Sequence, residues 1–326
     1  MAFDAAAAAL TVAGLLRPLG TRDRAEREKR YLKSDLEFFG VTVPDLRRAV
    51  KDAVRGYPGL DRQAAVGWAV ALWREPVFER RLAAVEILRM AGKQLQASDL
   101  AAVEMLIRDA RTWALVDPLA GDVAGRIALR DPASWPLIDA WAADEDFWVR
   151  RSALLALLPG IRAGQPDLGR FERYAALMLA EKEFFIRKAM GWVLREISKR
   201  DPRWVADWTA ARVAVISGVT FREAVRRLPP DEATRLRALR ASARLAASRP
   251  GTFPAGRGTR LLGYSSSSGR SRNSLAMMAM VMSPGWRPSV EPTAMGLTLM
   301  KGGSSGSAQM TCRRLPNHCL IRSMPR

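Results

Sequence analysis

The chain has 326 residues, a formal net charge of +19 and a pI of about 11.1. So large a basic excess points to a polyanionic partner, with nucleic acid first and a membrane surface as the rival. The single histidine (His318) and both cysteines (Cys312, Cys319) lie near the C-terminus. Residues 1–230 are thereby left without a Cys or His nucleophile, a His base or the usual zinc ligands, and any base there is a carboxylate, Lys or Tyr.

The first predicted element is the apolar stretch Ala5 to Leu16, which follows Asp4 rather than a basic segment and reads as a helix, not a signal peptide. From there to about residue 230 apolar residues recur at i, i+3, i+4 and i+7, as in Val66, Val70 and Trp73, and strand-like alternation is essentially absent. Breaks are predicted at Gly40, Gly56–Pro58, Pro76, Asp131–Pro132, Pro159–Gly160, Gly164–Pro166 and Asp201–Pro202.

The helices repeat. Phe147-Trp-Val-Arg-Arg-Ser-Ala-Leu and Phe184-Phe-Ile-Arg-Lys-Ala-Met-Gly lie 37 residues apart, each after an acidic cluster that suits a helix N-terminus. Phe78-Glu-Arg-Arg-Leu-Ala-Ala is a weaker copy. In that register Arg81, Asp117, Arg151 and Lys188 are equivalent, at spacings of 36, 34 and 37. Such periods predict an all-α, HEAT-like helical-repeat solenoid, with three cations and one carboxylate on one surface.

Pro229-Pro230 reads as a stop, so the body is predicted to cover 1–230, with one short Arg/Ala-rich helix candidate at Asp231–Ser248. Residues 231–326 hold 15 of the 52 basic residues and three of the 33 acidic ones. From Arg249 onward, Gly, Ser, Pro and Arg without period predict a disordered tail, resembling a shifted or extended reading frame. Its apolar run Leu275–Met282 is too short to span a bilayer.

Three pairs could carry chemistry. Trp113 and Asp117, and Lys188 and Trp192, are spaced i, i+4; Trp148 and Arg151 are spaced i, i+3; each pair shares a helix face. The alternatives are a core Trp113 with Asp117 as a surface or cap acid, an Arg151 paired with an acid of the next repeat, and a Gly191–Trp192 step that serves helix packing. Nine of the ten tryptophans lie in the body, more than a solenoid core requires, and their rings suit cations, sugars or bases.

The stretch Phe184-Phe-Ile-Arg-Lys-Ala-Met-Gly-Trp-Val-Leu-Arg-Glu resembles a signature of the bacterial DNA alkylation repair proteins, alkylpurine glycosylases built from HEAT-like repeats. Tyr31-Leu-Lys-Ser-Asp-Leu-Glu-Phe-Phe-Gly-Val, Trp113-Ala-Leu-Val-Asp, Phe147-Trp-Val-Arg-Arg and 217–227 match in the same order, over residues 25–228. The resemblance implies metal-free, cofactor-free hydrolysis of the N-glycosidic bond of cationic purines such as 3-methyladenine and 7-methylguanine, without base flipping. It implies Asp117 as the catalytic carboxylate, Trp113 and Trp192 beside the lesion, and Arg151 as the site arginine. Arg151 and Lys188, with the adjacent Arg150 and Arg187, are the candidate DNA-binding cations. The implied partner is double-stranded DNA with alkylated bases, bound by a monomer in the bacterial cytosol, with no membrane. Thr112 departs from relatives that carry an aromatic there. A non-catalytic repeat scaffold that binds DNA structures or a protein is the competing reading.

Overall fold

The computed structural model describes residues 3–248, and they form an all-α fold of stacked helices. The predicted tail from Arg249, with Leu275–Met282, Cys312, His318 and Cys319, lies outside the described residues. Among these, the only extended pairing noted is an isolated parallel bridge between Glu37 and Val77. No described helix is long and apolar enough to cross a membrane.

The helices begin where acidic or hydroxylic side chains can satisfy free N–H groups. Asp4 caps α1 (Ala5–Leu16), Asp61 caps α4 (Arg62–Trp73), Asp146 caps α10 (Phe147–Ala156), Glu183 caps α13 (Phe184–Ile197) and Asp201 caps α14 (Pro202–Ala211). Between them run α2 (Arg22–Leu32), α3 (Val43–Arg55), α5 (Phe78–Met90), α6 (Leu100–Arg108), α7 (Trp113–Pro118), α8 (Gly125–Arg130), α9 (Trp135–Trp141), α11 (Leu158–Ala163) and α12 (Leu168–Met178). The domain closes with α15 (Gly218–Ala224) and α16 (Pro230–Ser248).

One row of helices positions the candidate residues: α5 packs on α7, α7 on α10, α10 on α13, and α13 on α15. Arg81, Asp117, Arg151, Lys188 and Glu223 sit on these five helices in that order. Gly191 has its explanation here. A Cβ on it would lie 2.7 Å from the Cβ of Glu223 and 3.2 Å from the Cα of Thr220, so its missing side chain is what lets α15 approach α13. The packing reading of the Gly191–Trp192 step therefore holds.

Two expectations about boundaries change. The break predicted at Pro159–Gly160 is a helix: α11 follows α10 after Leu157 alone, with Pro159 in its first turn, where the missing N–H costs nothing. Pro230 likewise starts α16 instead of stopping the body. Ala233 and Leu236 of α16 are buried, α16 packs on α14, and Arg240 donates to the Ile216 carbonyl (2.9 Å), so the packed body continues past the expected boundary at residue 230. Burying a Leu contributes roughly 1.5–3 kcal/mol. A chain ending at Pro229 is therefore expected to melt roughly 5 °C or more below the full chain, and one ending at Ser248 to melt with it. Equal melting of the two shortened chains would show that α16 contributes nothing to the body.

Candidate functional site

Asp117 reaches the row through an irregular helix. Thr112 caps α7 by accepting from the Ala114 N–H at 3.4 Å, and Arg111 before it adopts a left-handed φ of 56°. Pro118 follows Asp117 and supplies no N–H; its ring would meet the carbonyl four residues back in a regular helix. The chain answers with a widened π turn over Leu119–Ala124 before resuming as α8.

The Asp117 carboxylate is 8% exposed and lies against Arg151, which is 3% exposed. Arg151 Nε donates to Oδ1 at 2.8 Å and Nη2 to Oδ2 at 2.9 Å, a two-pronged pair. The third nitrogen, Nη1, donates to the Phe185 carbonyl at 2.5 Å, and the guanidinium lies 5.8 Å from the Phe185 ring centroid. Trp148 packs on the other aromatics here, 4.8 Å from Phe185 and 4.4 Å from Phe147.

The neighbouring positions repeat this arrangement. Arg81, 2% exposed, pairs with Asp109 at 2.7 Å and also donates to its carbonyl. Lys188 and Arg195 both bond the Glu223 carboxylate, and Arg226 stands 3.9 Å away. Burial alone would raise the pKa of Glu223, but the Lys188 hydrogen bond and the charges of Arg195, Lys188 and Arg226 outweigh it and hold the carboxyl below its ordinary value. The register predicted from the repeat thus gives a line of ion pairs, several of them buried, where one surface carrying three cations and one carboxylate was expected. Long basic side chains taken out of water require acidic partners.

Trp113 is half-buried at the start of α7, with its ring edge-on to Tyr31 of α2 at 6.1 Å. Tyr31 is 57% exposed and was singled out by sequence only as part of a matching stretch; nothing in its spacing marks it as Trp113's neighbour. Trp192 is half-buried on α13, where the Arg162 guanidinium of α11 lies 6.0 Å from its ring centroid. Arg150 forks onto Glu181 at 2.7 and 2.8 Å, and Arg187 donates to the Glu181 carbonyl at 2.7 Å. The structure therefore joins Asp117 to Arg151 directly and sets Trp113 one turn before Asp117 on the same helix. Lys188 and Trp192 share α13 but are engaged by Glu223 and Arg162 respectively. Among the described residues no group of three His, Cys, Asp or Glu is arranged to hold a metal.

An all-helical repeat stack with one row of ion pairs, buried at its centre, is the class that fold and site define. The family model described as "DNA alkylation repair enzyme" matches residues 13–228, and the chain belongs to that family. Among solved structures, a predicted DNA alkylation repair enzyme from Enterococcus faecalis is similar at 22% identity with a TM-score of 0.59, covering 65% of this chain and 97% of that one. AlkD2 from Streptococcus mutans is more loosely similar, at 18% identity and a TM-score of 0.39, covering 68% of this chain and 97% of that one. The first likeness supports the helical-repeat fold. None of the curated proteins matches the chain.

Proposed function

We propose that the protein is a DNA glycosylase that hydrolyses the N-glycosidic bond of cationic alkylpurines, of the 3-methyladenine and 7-methylguanine type, in duplex DNA without flipping the base. The observation that carries the reading is the Asp117–Arg151 pair. A buried ion pair is no better for stability than apolar residues of the same volume, so its place on the central helices calls for another use.

The chemistry suits these residues. An N3- or N7-alkylated purine is already cationic and leaves without a general acid. Breaking the bond builds positive charge on the sugar, as in glycoside hydrolysis. The Asp117 carboxylate is the group for that charge and for a water, and Arg151 fixes its orientation. Trp113 and Trp192 offer π faces to a cationic sugar or base. Lys188, Arg150 and Arg187 are proposed to approach phosphates, each exchanging part of its present bonding for contact with DNA. No step requires a metal or a cofactor.

Purified protein is expected to release 7-methylguanine or 3-methyladenine from methylated duplex DNA, at the same rate with and without EDTA. Release no faster than the spontaneous rate would leave a DNA-binding scaffold as the reading.

A further inference from the structure

Many cations of the body are matched by acids on the same helix or on a neighbouring segment. Arg108 bonds Asp144 and Glu104, Arg150 bonds Glu181, and Arg170 bonds Asp139 and Asp167. On α16, Arg237, Arg240 and Arg244 follow i, i+3, i+7 spacing and so share one face of the helix. Arg237 and Arg244 are exposed, and among the described residues neither has an acidic partner. Arg240 is half-buried over the Phe221 ring at 4.4 Å, and its Nη1 has no hydrogen-bond partner. Arg222 of α15 is exposed and faces the same group.

Burial first, then the charges of Arg244 and Arg222, push the Arg240 pKa down, so these guanidinia are close enough to repel one another. Of the nearby acids, Glu223 is engaged by Lys188 and Arg195 and Glu232 by Arg235, while Asp231 and Asp207 are exposed and paired with none of these arginines. Arginines gathered without a paired acid weaken the folded state until a polyanion neutralises them. The stripe from Arg237 to Arg244 runs about 10 Å along the helix at 1.5 Å per residue. That length faces about three phosphates of one strand at roughly 3.4 Å each along the duplex axis. The family match ends at residue 228, so α16 lies wholly outside it.

We propose that α16, with Arg222 of α15, is a second DNA-contacting surface: Arg222, Arg237 and Arg244 bind duplex phosphates beside the lesion site and lengthen the protein's footprint on DNA. The surface reads charge and not base sequence, because guanidinium–phosphate contacts position a protein without identifying bases. It requires duplex DNA as the partner and is independent of base release, so it stands or falls separately from the glycosylase reading.

The test uses the full chain with Arg222, Arg237 and Arg244 all changed to Gln. A charge-matched control carries Arg48→Gln, Lys51→Gln and Arg55→Gln on α3, which are exposed. Affinity for undamaged duplex is measured against salt, with thermal melting of each variant. The α16 variant is expected to bind roughly tenfold more weakly near 0.1 M salt, and its log–log salt slope to become shallower by about 2–3, near 0.9 per lost phosphate contact. The control should change the slope by less than about 1. Lysine at the same three positions should restore the slope, which a loss of folding would not allow. An unchanged slope, or equal changes in both variants, would overturn the proposal. So would retained DNA binding together with lost binding to phosphatidylserine vesicles, which would assign the stripe to a membrane surface.

Discussion

Replacing Asp117 by Asn is expected to slow base release at least tenfold, a loss of about 1.4 kcal/mol or more of transition-state stabilisation. Asn keeps the size of the side chain and removes the charge that would oppose an oxocarbenium-like sugar. The geometry adds a second consequence. Arg151 now gives one N–H to each carboxylate oxygen, and an amide offers only one oxygen, so one guanidinium N–H faces an NH₂ group. A buried donor left unsatisfied costs about 1–3 kcal/mol, and the variant should melt below the parent. Rate and melting must therefore be read on the same preparation, with release measured well below the transition. DNA binding should stay level or tighten, because a negative charge near the phosphates has gone. A variant that melts lower but releases base at the parental rate would make Asp117 a structural acid and sink its assignment as the catalytic carboxylate.

How legible this site was in the sequence depends on the kind of contact. Helix starts were legible because caps are local: Asp146, Glu183 and Asp201 accept from N–H groups two or three residues on. The register of Arg81, Asp117, Arg151 and Lys188 was legible because the repeat fixes it. Their partners were only partly so. Asp117 and Arg151 are equivalent positions of successive repeats and do meet, as the pairing alternative allowed. Glu223 continues the register, 35 residues after Lys188, although the repeat was read only as far as Lys188; Asp109, 28 residues after Arg81, lies off it and meets Arg81 only through the packing of the chain. The π turn after Asp117 had one sequence signal, Pro118 inside a helical stretch, and its form depends on packing against α6 and α10. The helix after Pro229-Pro230 was legible at Asp231–Ser248, close to α16 as found; that it packs back on the body was not, because the burial of Ala233 and Leu236 depends on contact with α14.

Truncating Arg151 is expected to have the largest effect on folding. Arg151→Ala leaves the Asp117 carboxylate, 8% exposed, without its counter-charge and removes the donor to the Phe185 carbonyl. Breaking a buried pair from one side costs about 3–5 kcal/mol, because the remaining charge stays desolvated. That is a large part of the roughly 5–15 kcal/mol that holds a domain folded. Removing both charges separates stability from chemistry. Asp117→Leu combined with Arg151→Met fills similar volume with apolar atoms, and such replacements are commonly neutral or stabilising by about 1–4 kcal/mol. The double variant is therefore expected to melt near the parent, well above Arg151→Ala, and to show no base release above the spontaneous rate. Urea unfolding of the parent, both single variants and the double gives the coupling directly. Recovery of stability without activity is the signature of a pair kept for chemistry. A double variant as unstable as Arg151→Ala would mean that the pair is required by the packing of α7 on α10, and the stability argument for a catalytic Asp117 would fall.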